Sequence, residues 1–170
     1  MNLYIVRHAI AEQRQESASE AEDSQRPLTD KGRKKFRKVA RGLRDLGVGI
    51  DMILTSPYVR AADTAAILRK QLKLGKEQLD VVQDIAPGGD AARLIAEISQ
   101  KYGTLEGVAI VGHETGLSRL VSMLLYGDPS LPITLKKGGV CCLTVDKLEY
   151  GRCATLQWLM APSQMESFAG

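Results

Sequence analysis

Asn2-Leu3-Tyr4-Ile5-Val6 runs directly into Arg7-His8-Ala9. The first five residues are mostly apolar and include β-branched and aromatic strand formers, so they read as a buried strand. The abrupt change to Arg and His puts two functional side chains where the strand ends. The same arrangement recurs further on. Asp51-Met52-Ile53-Leu54-Thr55 reads as a second buried strand, broken by Ser56-Pro57, and Arg60 lies in the helix that follows. Gly107-Val108-Ala109-Ile110-Val111 reads as another, leading to Gly112-His113-Glu114. His8 and His113 are the only histidines in the chain.

Helical patterns lie between these strands. A helix is predicted from about Asp30 to Leu46, capped by Thr29 or Asp30, with Phe36, Val39, Ala40, Leu43 and Leu46 on one stripe. Others are predicted over Val59–Leu72, from Asp90 to about Lys101, and over Thr115–Leu125. Val81-Val82 is a short strand candidate, and Pro87-Gly88-Gly89 is a loop. Val140–Val145 and Ala154–Leu159 read as two strands around a turn near Tyr150-Gly151. Glu12 to Arg26 is polar and aperiodic, and is expected to be a mobile surface loop or a short lid. Strands alternating with helices predict an α/β domain: a three-layer sandwich with a mainly parallel sheet and helices on both faces. The last strand pair is a candidate for an antiparallel edge. With no repeat or linker, residues 1–170 are read as one domain.

Composition agrees with this. The chain has 170 residues, 44% hydrophobic and 25% charged, ordinary for a globular domain with a sizeable core. A net charge of +3 is too weak to imply nucleic acid or an anionic membrane as partner. The N-terminus meets Arg and His early and has no cleavage site, so no secretory signal is expected. No apolar run approaches the roughly 20 residues of a membrane span. Cys141, Cys142 and Cys153 make a poor disulfide framework and have no nearby His to complete a zinc set. All three are expected to be buried, reduced thiols of a cytoplasmic protein.

If the three strands are parallel neighbours, Arg7, His8, Arg60 and His113 converge on one rim, at the carboxyl ends of strands where open α/β sheets bind ligands. Two guanidiniums can make charge-assisted, bidentate hydrogen bonds to phosphate oxygens. A neutral imidazole is a competent nucleophile toward phosphorus, and nearby arginines favour the neutral form. A second imidazole can donate to charge developing on the phosphoryl oxygens.

These segments resemble the histidine phosphatase superfamily, which also contains the phosphoglycerate mutases. The resemblance rests on Arg7-His8 after the first strand, on Thr55-Ser56-Pro57-x-x-Arg60-Ala61-x-x-Thr64-Ala65, and on Gly112-His113-Glu114. Leu28-Thr29-x-x-Gly32 matches the family's helix start. The short chain and Pro87-Gly88-Gly89-Asp90 look most like the SixA branch, the phosphohistidine phosphatases. The resemblance implies a phosphoglycerate mutase-like fold, with His8 as the transiently phosphorylated nucleophile. Arg7, Arg60 and His113 would form the phosphate pocket, with Ser56 either a phosphate ligand or a helix cap. It also implies that no metal or cofactor is needed, that inorganic phosphate is the product, and that the protein is a monomer.

Three departures stand out. The family usually reads Arg-His-Gly; Ala9 replaces the glycine and fits provided it avoids positive φ. Gln13 and Arg14 stand where mutase-like members carry an Asn. Their general acid, a Glu after the third strand, has no clear equivalent; Asp84 and Glu12 are the candidates, and Glu114 is either a helix N-terminal acid or a catalytic one. An alkoxide leaving group needs a proton, whereas phosphohistidine expels an imidazole. The expected substrate is therefore a protein phosphohistidine, as on a phosphotransfer domain. A small phosphate ester is the alternative, and a phosphate-binding module without turnover the third reading. The basic run Lys31 to Arg44 reads as the wet face of a helix or as an attractor for an acidic partner.

Overall fold

The computed structural model describes residues 1–170. Strand β1 (Asn2–Arg7) lies inside the sheet, and its side chains alternate between two cores. Leu3 and Ile5 point into one, Tyr4 and Val6 into the other. On one side β1 pairs parallel with β4 (Gly107–Gly112), which pairs parallel with β2 (Met52–Thr55), and β2 with the short β3 (Leu79–Val81). On its other side β1 pairs antiparallel with β5 (Val140–Val145), which is followed by the antiparallel edge strand β6 (Ala154–Met160). The sheet order is therefore β3-β2-β4-β1-β5-β6, mainly parallel with an antiparallel edge.

Six helices complete the layers: α1 (Glu20–Ser24), α2 (Asp30–Asp45), α3 (Val59–Gln71), α4 (Ala91–Tyr102), α5 (Gly116–Tyr126) and α6 (Pro162–Glu166). Ile95 and Ile98 of α4 and Leu117, Val121 and Leu124 of α5 pack with Leu3, Ile5 and Ile110 on one face. Phe36, Val39 and Leu43 of α2 and Ala61, Ala65 and Leu68 of α3 pack with Tyr4, Val6 and Val111 on the other. No helix is long and apolar enough to cross a membrane.

The sequence expectations need four adjustments. The third strand is Leu79–Val81; Val82 is buried and donates its N–H to Thr55 O. Glu12 to Arg26 is not wholly irregular, since it contains α1, closed by a capping box between Ser19 and Glu22. Cys141 and Cys142 are buried free thiols, but Cys153 is only half-buried, its Sγ donating to Glu149 O. Helix α6, unexpected from the sequence, buries Met165 against α2. Of the two candidate caps for α2, Thr29 is the N-cap, accepting from Gly32 N at 2.9 Å.

Candidate active site

Three segments leave the sheet side by side. With β4 between β1 and β2, the backbone ladder continues past the strand ends: His8 N donates to Gly112 O (3.0 Å), and Ser56 N to Val111 O (3.1 Å). Arg7-His8, Ser56 and His113 are thereby fixed on one rim. Thr64 ties in α3, because its Oγ1 accepts from Ala9 N (3.0 Å) and donates to Arg60 O (2.7 Å). The Thr in the Arg60-Ala61-x-x-Thr64 motif therefore anchors the residue after His8. Ala9 does not take a positive φ, so the change from glycine is unstrained. Gly32 serves the same segment: a Cβ there would stand 2.1 Å from Ile10 O, so α2 can approach the backbone beyond His8 this closely only with glycine.

The two imidazoles face each other at 5.2 Å between ring centroids. His8 Nδ1 donates to Ala9 O at 2.7 Å. That bond places the proton on Nδ1 and leaves the Nε2 lone pair without a protein partner. His113 Nε2 lies 2.8 Å from Ser56 Oγ, which also accepts from Tyr58 N at 3.2 Å. The Ser56 hydroxyl already accepts from Tyr58 N and has its one proton to place, so it donates to Nε2, and neutral His113 is assigned its proton on Nδ1. Ser56 is fully buried, so it orients His113 rather than lining an anion site, and the N-cap of α3 is Tyr58. Arg7 Nη1 donates to Leu135 O (2.8 Å). Arg7 Nε, Arg60 Nε and His113 Nδ1 are buried donors with no partner in the protein, against the general rule that buried polar groups are satisfied.

Helix α1 lies over this group. Asp23, 8% exposed, accepts from Arg60 twice: main-chain O from Nη1 (2.7 Å) and Oδ2 from Nη2 (3.0 Å). Its Oδ1 accepts from Arg26 Nε (3.0 Å). Glu20 Oε1 accepts from Tyr58 OH (2.9 Å). The Tyr58 ring in turn sits 5.0 Å from the Arg60 guanidinium and 5.2 Å from the His113 ring. Arg60 and His113 are consequently 4% and 6% exposed, and His8 7%. A cleft of about 460 Å³ opens beside His113, between Pro87-Gly88-Gly89 and α5, with Leu94, Leu117 and Met123 among its lining and Arg119 and Tyr150 at its walls.

Burial is the main reason that both histidines titrate low. His8 falls to about 4, helped by Arg60, Arg7 and Lys137 and only partly offset by its bond to Ala9 O. His113 falls to about 3, helped by His8 and Arg60. Both are neutral at pH 7. The rate set by His8 should hold flat from pH 8 to about 5 and fall below about pH 4, which initial rates against pH will check. Stability follows the same sign. Unfolded histidines take up protons near 6.5 and folded ones only near 4 and 3. The unfolded state thus binds more protons in that window, and stability falls as pH drops through it, by on the order of 3 kcal/mol per histidine. Denaturant melts at pH 7 and pH 4 measure this.

Arg7, His8, Arg60, His113 and Ser56 are brought together, but the acid candidates are not equivalent to them. Asp84 forms a two-point ion pair with Arg93 at 2.5 Å, and those hydrogen bonds hold its carboxyl below the usual range. It lines the cleft as a committed carboxylate, not a proton donor. Glu12 is exposed. Glu114 Oε2 accepts from Ser118 Oγ (2.6 Å), while its Oε1 is buried without a partner. The sequence reading missed Asp23, whose carboxyl burial would raise but which Arg60 and Arg26 hold low. It also missed Tyr58. The available signal was Ser19-x-x-Glu22, a capping-box pattern that marks a helix within the polar stretch.

Comparison with known proteins bears directly on this rim. The model of the histidine phosphatase superfamily (branch 1) matches residues 3–105. Phosphohistidine phosphatase SixA of Escherichia coli strain K12 is 29% identical over 169 residues, covering 98% of this chain and 97% of that protein. An uncharacterized protein of Picosynechococcus sp. PCC 7002 is 36% identical over 141 residues, 82% of each chain. The structure of the protein histidine phosphatase SixA complexed with tungstate superposes with a TM-score of 0.82 at 28% identity, covering 97% of this chain and 99% of that one. The alpha-ribazole phosphatase of Shigella flexneri shares the fold, with a TM-score of 0.71 at 18% identity, covering 95% and 97%. The family model spans more than half of the chain and includes Arg7, His8 and Arg60, so this chain belongs to the histidine phosphatase superfamily, and its full-length likeness to SixA makes it of the SixA type.

Proposed function

We propose that the chain is a phosphohistidine phosphatase acting on a protein phosphotransfer domain through a phosphorylated His8. The observation that carries this is the set of three buried donors without partners, Arg7 Nε, Arg60 Nε and His113 Nδ1, in the segments that surround an imidazole whose Nε2 lone pair is free. A tetrahedral phosphoryl group satisfies those donors. Each arginine is held along its other edge, Arg7 by Leu135 O and Arg60 by Asp23, so the fork is oriented before substrate arrives.

His8 Nε2 attacks phosphorus, a new N–P bond forms, and the substrate's N–P bond breaks with its electron pair going to the departing imidazole, which takes a proton from solvent. Water then attacks phospho-His8 and releases inorganic phosphate, restoring the neutral ring. An imidazole leaving group needs no strong acid, and Asp84, the acidic residue across the cleft, is committed to Arg93. The likeness to SixA, a protein histidine phosphatase that binds tungstate, an oxyanion of phosphate shape, supports the same substrate class. The cleft beside His113 gives room for the residues that flank a phosphohistidine.

The test is phosphate release, with EDTA present, from a histidine-phosphorylated phosphotransfer domain and from a small phosphate ester. The domain is expected to turn over faster. Preferential turnover of the ester would reject this reading in favour of small-molecule metabolism, and failure on both would reject the enzyme altogether.

A further inference from the structure

Helix α2 carries eight lysines and arginines against two aspartates. That surplus exceeds the net +3 of the whole chain, so the rest of the molecule is acidic on balance and the positive charge is segregated onto one element. Some of these cations are neutralised: Arg33 by Asp63 at 2.6 Å, Lys35 by Glu166 at 3.8 Å and Arg44 by Asp45 at 2.8 Å. Lys31, Lys34, Arg37 and Lys38 are exposed and in no ion pair, and the same holds for Lys136 and Lys137 in the loop before β5. Lys34 and Lys38 are four apart on one face, where like charges repel. A helix that only needs a wet outer face has no reason to keep them unpaired.

The basic face begins at the active site. Thr29 Oγ1 donates to Ile10 O, two residues beyond His8, so α2 starts on the rim. Lys35 and Lys137 flank a hollow lined by Ala9, Ile10 and Gly32, and the charge of Lys137 reaches His8. The unpaired cations thus form a track from the nucleophile outward along the first half of α2, with about 10 Å of helix between Lys31 and Lys38.

We propose that this track is the docking surface for an acidic face of the phosphorylated protein substrate, a specificity element that rests on the phosphohistidine reading above. A phosphate ester or a free phosphoramidate fills the rim and stops there. Only a folded, acidic phosphoprotein presents both a phosphoryl group for the rim and a negative surface long enough to lie along α2. Charges so arranged steer encounter and fix orientation more than they add to the chemical step.

The experiment uses the full chain carrying Lys34→Glu and Lys38→Glu, two exposed positions outside the phosphate pocket. Substrates are an acidic phosphotransfer domain phosphorylated on histidine, and phosphoramidate. Binding of the unphosphorylated domain is titrated in parallel. Expected are a rise of about tenfold in Kd and KM for the domain at low salt, a difference that shrinks as salt screens it, and unchanged phosphoramidate turnover. Unchanged Kd and KM for the domain overturn the docking surface. So does a loss confined to binding of phosphatidylglycerol vesicles, which would make the track a membrane contact. Salt-dependent, charge-sensitive binding without turnover of either substrate would reject the phosphatase reading and leave the surface standing.

Discussion

Replacing His8 by alanine is expected to reduce phosphate release from a phosphohistidine domain by about 10⁴-fold or more, with circular dichroism and cooperative melting retained. The fold tolerates the loss because the His8 side chain makes one hydrogen bond, to the adjacent Ala9 O, and the segment is held by its backbone and by Thr64. The wild type, quenched in alkali during turnover, should carry an acid-labile, base-stable phosphoryl group on His8, and the variant none. His113→Ala should behave differently. It removes a donor and not the nucleophile, so the adduct still forms, at a rate lowered by about 10²-fold to 10³-fold. Full release by His8→Ala, or an adduct mapped to another residue, defeats the mechanism.

The parts of this site that can be read in the sequence are those set by local chain direction. Arg7 ends a buried strand, His8 and His113 stand immediately after theirs, and Arg60 lies in the first turn of the helix after Ser56-Pro57. Once the strands are taken as parallel neighbours, the rim follows from topology. The gaps have physical causes. Asp23 meets Arg60 across 37 residues of chain, and the pairing depends on how a five-residue helix docks. No periodicity can declare a helix that short. Glu20 with Tyr58 is the same case. In the sequence Ser56 fits both cap and ligand, because both readings place its hydroxyl beyond a strand. The deciding fact, its bond to His113, comes from the β2–β4 pairing.

The state of Asp84 is hidden in the sequence for a related reason. A carboxylate read from sequence has no partner until the fold supplies one, and Asp84 finds Arg93 across the Pro87-Gly88-Gly89 turn. The same turn walls the cleft beside His113. One segment thus gives shape to the substrate side while removing its own carboxylate from acid chemistry, and this agrees with a leaving group that needs none.

Asp23→Ala is expected to have the second large effect, on stability and on rate together. It strips a nearly buried guanidinium of its counter-charge, and losing one partner of such a pair costs about 3 kcal/mol. It also removes the Oδ2 acceptor of Nη2 and leaves Nη1 with the main-chain oxygen of residue 23, so α1 holds the Arg60 edge at one point in place of two. A misplaced fork lowers kcat/KM by about 10²-fold, and the inhibition constant for inorganic phosphate should rise with it. Asp23→Asn separates the two effects. Its amide oxygen can still accept from Nη2, so it should recover much of the rate while keeping most of the stability loss. A purely structural role would lower melting and leave phosphate inhibition alone. If phosphate binds more tightly in Asp23→Ala, the carboxylate is a competitor in the anion site instead of the group that positions Arg60. The geometry favours positioning: Asp23 takes Nη1 and Nη2 on one edge and leaves Nε–H, the orphaned donor, for the phosphoryl oxygen.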